Sequence, residues 1–463
     1  MFSEAVASVG LEFYNVASGL QPFIKDPPLS FIGVFVGLAI SIILIIKKLN
    51  PVSSMFVGAI AGTLLGAAIG GSHPGYILHY MISGTIIWGG QSVIGIIVRI
   101  VAGGILAGVL IESGAAESIA RGIVSKLGPR NSLLAITLSS MTIVAVGVFL
   151  PVAVIVLAPI TLSVSSKANI SKMAAILALS GGAKAGNIIS PNPNTIALAD
   201  TFNLPLGEVM IGGAIPGLLA FVATVILASL IRNKGAKVES SDLEAFCDPC
   251  ESLPPFSKAI AAPVVTIALL VFSTIVNIFQ IEALSAFELD AFLVLPIGGL
   301  AGCIIMGKAD KIIDYSNKGI MRMAPVVLML LGAGALSGLI LNSDFPDLIK
   351  AAMVRLDLPD FLLAPISGAI FGSATGSVAT GVIVSGQAFA DMLGAASVPA
   401  ISAAVMIHAG AAFIDVVPHG NYFLASKDSM KVSMIDRIKV MPYEAIVGGV
   451  MTLAAIIMYE VIL

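Results

Sequence analysis

A carboxylate and two imidazoles stand together in one apolar stretch of this chain. Asp415 lies between His408 and His419, and no lysine or arginine lies within four positions of it. Ionisable side chains are costly in hydrocarbon, and where they occur they mark proton or substrate pathways. We therefore predict proton coupling at Asp415 or His408, with His419 as a third candidate. The alternative is a purely structural Asp–His hydrogen bond.

A second polar run, residues 186–195, reads Gly-Asn-Ile-Ile-Ser-Pro-Asn-Pro-Asn-Thr. Two prolines so close together interrupt a helix, which predicts a break inside a membrane-spanning helix. The neutral donors and acceptors around such a break suit hydroxyl and carboxylate groups. The candidate substrate-binding residues in this run are Asn187, Ser190, Asn192, Asn194 and Thr195. The simpler alternative is a proline kink whose polar groups are satisfied by neighbouring helices.

Lys184 lies one turn before that break. A cation beside neutral acceptors favours an anionic substrate, so Lys184 is also a candidate substrate-binding residue. Alternatively it snorkels, or neutralises an acid such as Asp415. Arg99 is a second cation within an apolar stretch, and the sequence assigns it no role.

A third run, residues 372–381, consists of small and hydroxylated residues. Such a run leaves backbone amides free for an anion, and it is equally compatible with close packing of helices. The candidate substrate-binding residues here are Ser373, Thr375 and Ser377. Asn421, beside the Asp415 stretch, is a further candidate.

The composition places these residues in a membrane. The chain is 57% hydrophobic and 11% charged, whereas about a quarter of a soluble domain is charged. Ten stretches are apolar and long enough to span a bilayer: 30–46, 51–71, 84–112, 173–199, 208–231, 258–278, 290–306, 323–342, 398–423 and 441–463. Two more, 131–166 and 360–396, are predicted to be re-entrant hairpins.

The distribution of basic residues supports the hairpins. If both hairpins are re-entrant, nearly all loop lysines and arginines fall on one side of the membrane. Only Lys25, Lys350 and Arg355 fall on the other side. The positive-inside rule makes the basic side cytoplasmic and places both termini outside. The acidic start of the chain predicts no cleaved targeting segment.

Two pairs of blocks indicate an internal repeat. Residues 105–113 resemble 335–343, and 180–187 resemble 408–415, at offsets of 230 and 228 positions. Homologous halves with odd numbers of crossings face opposite ways in a bilayer. We therefore predict an all-α integral membrane protein, an inverted-repeat secondary transporter with about 10 transmembrane helices, two re-entrant hairpins and two broken helices.

The predicted parts of the chain are an extracytoplasmic segment (1–29), a first repeat (30–231), a cytoplasmic linker (232–257) and a second repeat (258–463). The polar linker is expected to be flexible. Residues 1–24 are compatible with a surface helix or with disorder.

The sequence favours transport over catalysis. The pair Cys247 and Cys250 has no nearby histidine and no second pair, so we expect no metal site. No HExxH motif and no nucleophile with a positioned base is found, so an enzyme is not expected. We expect no cofactor and no nucleic-acid partner. The expected partners are a small organic anion and the lipid bilayer.

Residues 184–195, residues 408–421 with their HAGA...D..PHG pattern, and the run 372–381 resemble the signature of the gluconate:proton symporter (GntP) family of the ion transporter superfamily. The resemblance implies a homodimeric symporter of the bacterial inner membrane, moving in an elevator fashion and coupled to H+. Its substrate would be gluconate or a related hydroxycarboxylate such as glycerate or 3-hydroxybutyrate. A sodium-coupled (Na+) carboxylate carrier and a cation/proton antiporter remain alternatives.

Overall fold

The computed structural model describes residues 29–47, 49–71, 93–244, 253–278 and 289–462. Within these ranges the regular elements are helices, and the only β-structure is two isolated bridges. The predicted all-α class is confirmed. The predictions for residues 1–24 and for Cys247 and Cys250 lie outside the described residues.

The first half of the chain contributes eleven described helices. They are α1 (Phe31–Ile46), α2 (Pro51–Ile69), α3 (Ile94–Glu112), α4 (Ala115–Leu127), α5 (Ser132–Ala145), α6 (Leu150–Lys167), α7 (Lys172–Asn187), α8 (Pro193–Thr201), α9 (Leu206–Gly212), α10 (Ala214–Leu230) and α11 (Ser240–Glu244).

The described part of the second half contributes a similar series. Its helices are α12 (Phe256–Ala259), α13 (Ala261–Ile278), α14 (Ala291–Ile305), α15 (Ile312–Leu341), α16 (Phe345–Arg355), α17 (Leu363–Thr375), α18 (Val378–Ala395), α19 (Ala400–Ala411), α20 (Asn421–Ser429), α21 (Met434–Ile438) and α22 (Met441–Ile457).

Seven helical segments among the described residues are long and apolar enough to cross a membrane, or eight if α9 and α10, bent by 43° at Gly213, form one span. Their lengths match the hydrocarbon core of a bilayer. Shorter apolar helices, among them α14 and α19, accompany them. The predicted multi-pass membrane class is confirmed.

Contacts divide the chain into two compact units. One comprises the described residues of Met1–Ile94 with Leu328–Pro359, and the other comprises Gly95–Val327 with Asp360–Leu463. Each unit therefore draws on both halves of the chain. The compact units do not coincide with the predicted repeats, whose boundaries stay a prediction.

In the first unit α1 and α2 pack through glycine. A methyl group added at Gly62 would lie 2.5 Å from the Gly33 carbonyl oxygen, so only glycine permits this approach, as is common between membrane helices. The N–H of Leu29 donates to the carbonyl of Asn342 at 2.9 Å. This bond ties the start of α1 to the end of α15.

The second unit contains both hairpins and both broken helices. Helices α5 and α6 form one hairpin and α17 and α18 the other, and each hairpin turns on a glycine with positive φ, Gly147 and Gly376. Helix α7 ends at Asn187 and α8 begins at Pro193, while α19 ends at Ala411 and α20 begins at Asn421. Both predicted breaks are confirmed.

The packing in this unit repeats itself. Helix α5 packs on α7, and its counterpart α17 packs on α19. After the breaks the partners cross over: α8 packs on α18 of the other half, and α20 packs on α6. Each broken helix is thus held by its own hairpin before the break and by the opposite hairpin after it.

One predicted helix boundary was wrong, and so was the predicted flexibility of the first part of the linker. Helix α15 begins at Ile312, well before the predicted span 323–342, because Lys318 pairs with Asp314 one turn away (2.9 Å) and extends the helix through charged residues. The linker was expected to be flexible, yet its first part is anchored. The Lys172 ammonium lies 2.7 Å from Asp242, and the N–H of Lys172 donates to the carbonyl of Ala236.

Candidate substrate and proton site at the two helix breaks

The first break is built by the N-cap of α8. The side-chain oxygen of Asn192 accepts from the N–H groups of Asn194 (2.7 Å) and Thr195 (3.4 Å), and the Thr195 hydroxyl reaches back to the N–H of Asn192 at 3.3 Å. This is a capping box with Pro193 at the first helical position. The Asn-Pro-Asn-Thr sequence therefore restarts the helix and does not merely kink it.

Asn187, the last residue of α7, is the centre of the polar contacts here. Its side-chain oxygen accepts from the amides of Asn192 (2.9 Å) and Asn194 (3.2 Å). Its side-chain nitrogen lies 3.2 Å from Nε2 of His408 on α19. Asn187 thus joins the first break to the helix that leads into the second.

Lys184, one turn before Asn187, reaches the second break. Its ammonium forms an ion pair with Asp415 and donates to the carbonyl of Ala412 at 2.6 Å. The two charged side chains are only 2% and 5% exposed. Of the interpretations that the sequence left open, the structure shows the one in which Lys184 neutralises Asp415.

Ser190 and Thr195 have internal partners as well. The Ser190 hydroxyl donates to the carbonyl of Val144 at 2.5 Å, and the Thr195 hydroxyl contacts the carbonyl of Ser190. Any substrate contact of Ser190, Asn192 or Thr195 therefore requires these internal hydrogen bonds to be exchanged.

The candidates on the second hairpin form a separate group. The hydroxyls of Ser373 and Thr375 donate to carbonyls of their own helix, and Ser377 caps α18. Nε2 of His419 lies 3.3 Å from the carbonyl of Ala374, which joins the hairpin tip to the second break. Asn421 is exposed at the start of α20.

Beside the ion pair lies a charge cluster that the sequence reasoning missed. The Arg437 guanidinium binds both carboxylate oxygens of Glu444 at 2.8 Å, and its Nε donates to the hydroxyl of Ser426. It also lies 4.9 Å from the ring centre of Phe423. The sequence did contain one indication of this cluster, because Glu444 is an acid inside the predicted apolar span 441–463.

An open space adjoins these charges. A cavity of about 290 Å³ is lined by both Lys184 and Glu444, and otherwise mainly by apolar side chains of the second break and of α22. Its volume approaches that of a small-ligand site.

Arg99, to which the sequence assigned no role, bridges two acids. Its guanidinium binds Asp290, the N-cap of α14, through Nε (3.0 Å) and Nη2 (2.8 Å), and it contacts Asp200 near the end of α8. These side chains are 30%, 40% and 25% exposed and line a cavity of about 470 Å³. Ile196, one turn into α8, also lines this cavity.

Among the described residues no group of three or more histidines, cysteines or acids could hold a metal ion. The polar groups at the first break and its contacts with the second are amides, two hydroxyls, the His408 imidazole and one ion pair. They suit reversible binding of a small polar anion.

Two broken helices, each held by a hairpin, with polar residues gathered at the breaks, define a membrane transporter. The GntP family profile, described as GntP family permease, matches residues 29–462. The chain belongs to this family of permeases, as the resemblance indicated, and it is not an enzyme.

Relatives agree with this assignment over most of their length. An "uncharacterized transporter" of Haemophilus influenzae is 42% identical over 432 residues, 93% of this chain and 98% of the relative. A "high-affinity gluconate transporter" of Escherichia coli is 23% identical over 456 residues, 94% and 99% of the two chains. The crystal structure of the Alcanivorax borkumensis YdaH transporter shares the fold, with a TM-score of 0.59, 15% identity, and coverage of 89% of this chain and 98% of the other.

Proposed function

We propose that this permease is a proton-coupled symporter that imports gluconate or a related small hydroxycarboxylate, such as glycerate or 3-hydroxybutyrate. The observation that carries the proposal is the buried ion pair of Lys184 and Asp415 at the meeting point of the two breaks. The gluconate transporter among its relatives supports the substrate class.

The ion pair explains why a proton and an anion would travel together. A buried charge that loses its partner is strongly unfavourable, by about 3–5 kcal/mol. Protonation of Asp415 alone leaves Lys184 as an unpaired cation, and an anion beside an ionised Asp415 leaves two negative charges for one ammonium. Only the empty site and the site with both proton and carboxylate are balanced.

In the loaded state Lys184 binds the substrate carboxylate and Asp415 carries the proton. The cavity lined by Lys184 supplies space beside the ammonium. One proton with one monoanion moves no net charge, so the pH gradient drives uptake, at about 1.4 kcal/mol or a tenfold concentration ratio per pH unit. The membrane potential, worth about 2.3 kcal/mol per charge at 100 mV, then contributes nothing.

The oligomeric state, membrane and orientation predicted from the sequence are part of this proposal. The protein acts as a homodimer in the bacterial inner membrane with both termini outside, and the hairpins and broken helices form the part that carries the substrate across.

The test is uptake of labelled gluconate, glycerate and 3-hydroxybutyrate into proteoliposomes under an inward proton gradient, without sodium and with the membrane potential clamped. Accumulation that a protonophore abolishes supports the proposal. Uptake that requires sodium at constant pH instead selects the sodium-coupled carboxylate carrier. If none of the three acids is taken up, either with the proton gradient or with sodium at constant pH, the proposed substrate class is overturned.

A further inference from the structure

We propose that His408 is a neutral hydrogen-bond donor which, with Asn194, binds a hydroxyl group of the substrate, and that it is not the proton carrier. This inference rests on the proposed function and specifies how the site recognises a hydroxylated acid. It assigns to His408 a role other than the one predicted from the sequence.

The orientation of three amides determines the state of His408. The Asn192 oxygen is committed to the N-cap of α8, so its NH2 group must face Asn187, where it donates to the side-chain oxygen and to the backbone carbonyl. The oxygen of Asn187 therefore faces its two donors, and its NH2 group faces Nε2 of His408.

Nε2 of His408 consequently accepts a hydrogen bond and carries no proton. A neutral imidazole carries its proton on the other nitrogen, which here is Nδ1. A second proton on Nε2 would face the NH2 group of Asn187. Rotation of that amide would only set its NH2 group against the donors of Asn192 and Asn194.

Two polar atoms of this network have no hydrogen-bond partner among the described residues. They are Nδ1 of His408, whose residue is 0% exposed, and the side-chain oxygen of Asn194, whose residue is 2% exposed. Both side chains contact the same Asn187 amide.

The two atoms have complementary chemistry. Nδ1–H of His408 is a donor and the Asn194 oxygen is an acceptor, and a hydroxyl group both accepts and donates one hydrogen bond. An unmade hydrogen bond at a buried polar group is costly. In the proposed site, a substrate hydroxyl accepts a hydrogen bond from Nδ1–H of His408 and donates one to the Asn194 oxygen. A substrate without a hydroxyl leaves both atoms without a hydrogen bond.

Two substitutions separate the two nitrogens of His408. The amide of His408→Gln reaches the position of Nε2 and keeps the contact with Asn187 while losing the Nδ1 donor. His408→Asn places an amide near Nδ1 and loses the Asn187 contact. Asn194→Ala removes the acceptor and leaves the Asn192 cap in place. Ser367→Ala is the matched control, because its buried hydroxyl donates at 3.0 Å within α17.

Two measurements are made with labelled 3-hydroxybutyrate. Inhibition of its uptake by unlabelled 3-hydroxybutyrate or butyrate, in exchange mode without a gradient, gives the preference, and its uptake under an inward proton gradient gives the proton-driven accumulation. Wild type and Ser367→Ala are expected to prefer the hydroxylated acid. In His408→Gln and Asn194→Ala this preference is expected to fall about tenfold to a hundredfold, while proton-driven accumulation continues. His408→Asn is expected to retain more of the preference than His408→Gln.

Loss of proton-driven accumulation in His408→Gln with the preference intact overturns the inference and restores His408 as the carrier. An unchanged preference in both His408→Gln and Asn194→Ala overturns the hydroxyl site. Wild-type protein that both acids inhibit equally well also overturns the hydroxyl site and leaves proton symport standing. Absence of transport of any hydroxy acid refutes the proposed function itself. Size-exclusion profiles in detergent verify that each variant is folded.

Discussion

Lys184 of α7 donates a hydrogen bond to the carbonyl of Ala412, 2.6 Å away, and Ala412 occupies the place of Lys184 in the second repeat. Asp415, which forms the ion pair with Lys184, likewise occupies the place of Asn187. The two breaks thus meet through equivalent positions that carry different chemistry. One repeat supplies a cation and an amide, and the other supplies a carboxylate.

Asp415→Asn removes the proposed proton carrier and keeps the shape of the side chain. We expect the variant to lose accumulation driven by a pH gradient. It is expected to retain exchange of labelled for unlabelled substrate, because Lys184 is then free for the carboxylate at every pH. Uptake and counterflow in proteoliposomes measure the two activities. Full pH-driven accumulation in this variant would refute the role of Asp415.

Lys184→Met leaves the Asp415 carboxylate buried without its cation. Such a loss costs about 3–5 kcal/mol, so we expect a marked fall in the yield and thermal stability of folded protein. The double variant with Asp415→Asn should recover most of that stability while remaining unable to transport. Thermal unfolding in detergent compares the two. Equal stability of the single and double variants would contradict the coupling.

Asn192 has two roles that substitution can separate. Asn192→Ser keeps a side chain able to cap α8 and loses the amide that donates to Asn187, whereas Asn192→Ala loses both. We expect Asn192→Ala to be the less stable by about 1 kcal/mol and both variants to bind substrate more weakly. Thermal unfolding and uptake kinetics provide the two readouts. Normal substrate affinity in Asn192→Ser would show that the orientation of Asn187 is unimportant.

The Arg99 cluster has one positive and two negative charges. Asp200→Asn leaves one positive and one negative charge, so we expect the free energy of unfolding to fall by at most about 1 kcal/mol at this partly exposed site. Arg99→Gln leaves two neighbouring carboxylates without a cation and should be more destabilising, with a deficit that shrinks at high salt. Melting temperatures at low and high ionic strength test the order. A larger loss from Asp200→Asn would contradict the charge balance.

Asp242 makes the stability of the linker anchor depend on pH. Burial raises the pKa of this carboxyl, but hydrogen bonds from the Lys172 ammonium and the Glu239 N–H outweigh burial and hold the pKa below its usual value. A lowered pKa means that the stabilisation is present above the unfolded value of 3.8 and is lost as pH falls through the folded pKa.

We therefore expect Asp242→Asn to lower the melting temperature at pH 7 by roughly 1–2 °C, and we expect this deficit to shrink as pH falls from 7 to below 3.8. Thermal unfolding of wild type and variant across this pH range tests the expectation. Asp428→Asn, which removes an exposed carboxylate paired with Lys427, serves as a control. A constant difference at all pH values would show that the ion pair is not responsible.

The sequence by itself determined the membrane class, the helical architecture and the positions of both breaks. These follow from local properties, because apolar length selects a span, Pro191 and Pro193 interrupt a helix at the first break, and polar residues with Pro418 mark the second. The polar residues 186–195 and the acid at Asp415 could be recognised for the same reason, since such groups in an apolar stretch demand an explanation.

Only the tertiary structure decided which of these residues face one another. Lys184 and Asp415 are 231 positions apart in sequence, and Arg99 and Asp290 are 191 positions apart. Pairing of this kind depends on how hairpins and broken helices pack across the repeat. For that reason the sequence left open whether Lys184 neutralises an acid, and only packing brings Nε2 of His408 to within 3.2 Å of the side-chain nitrogen of Asn187.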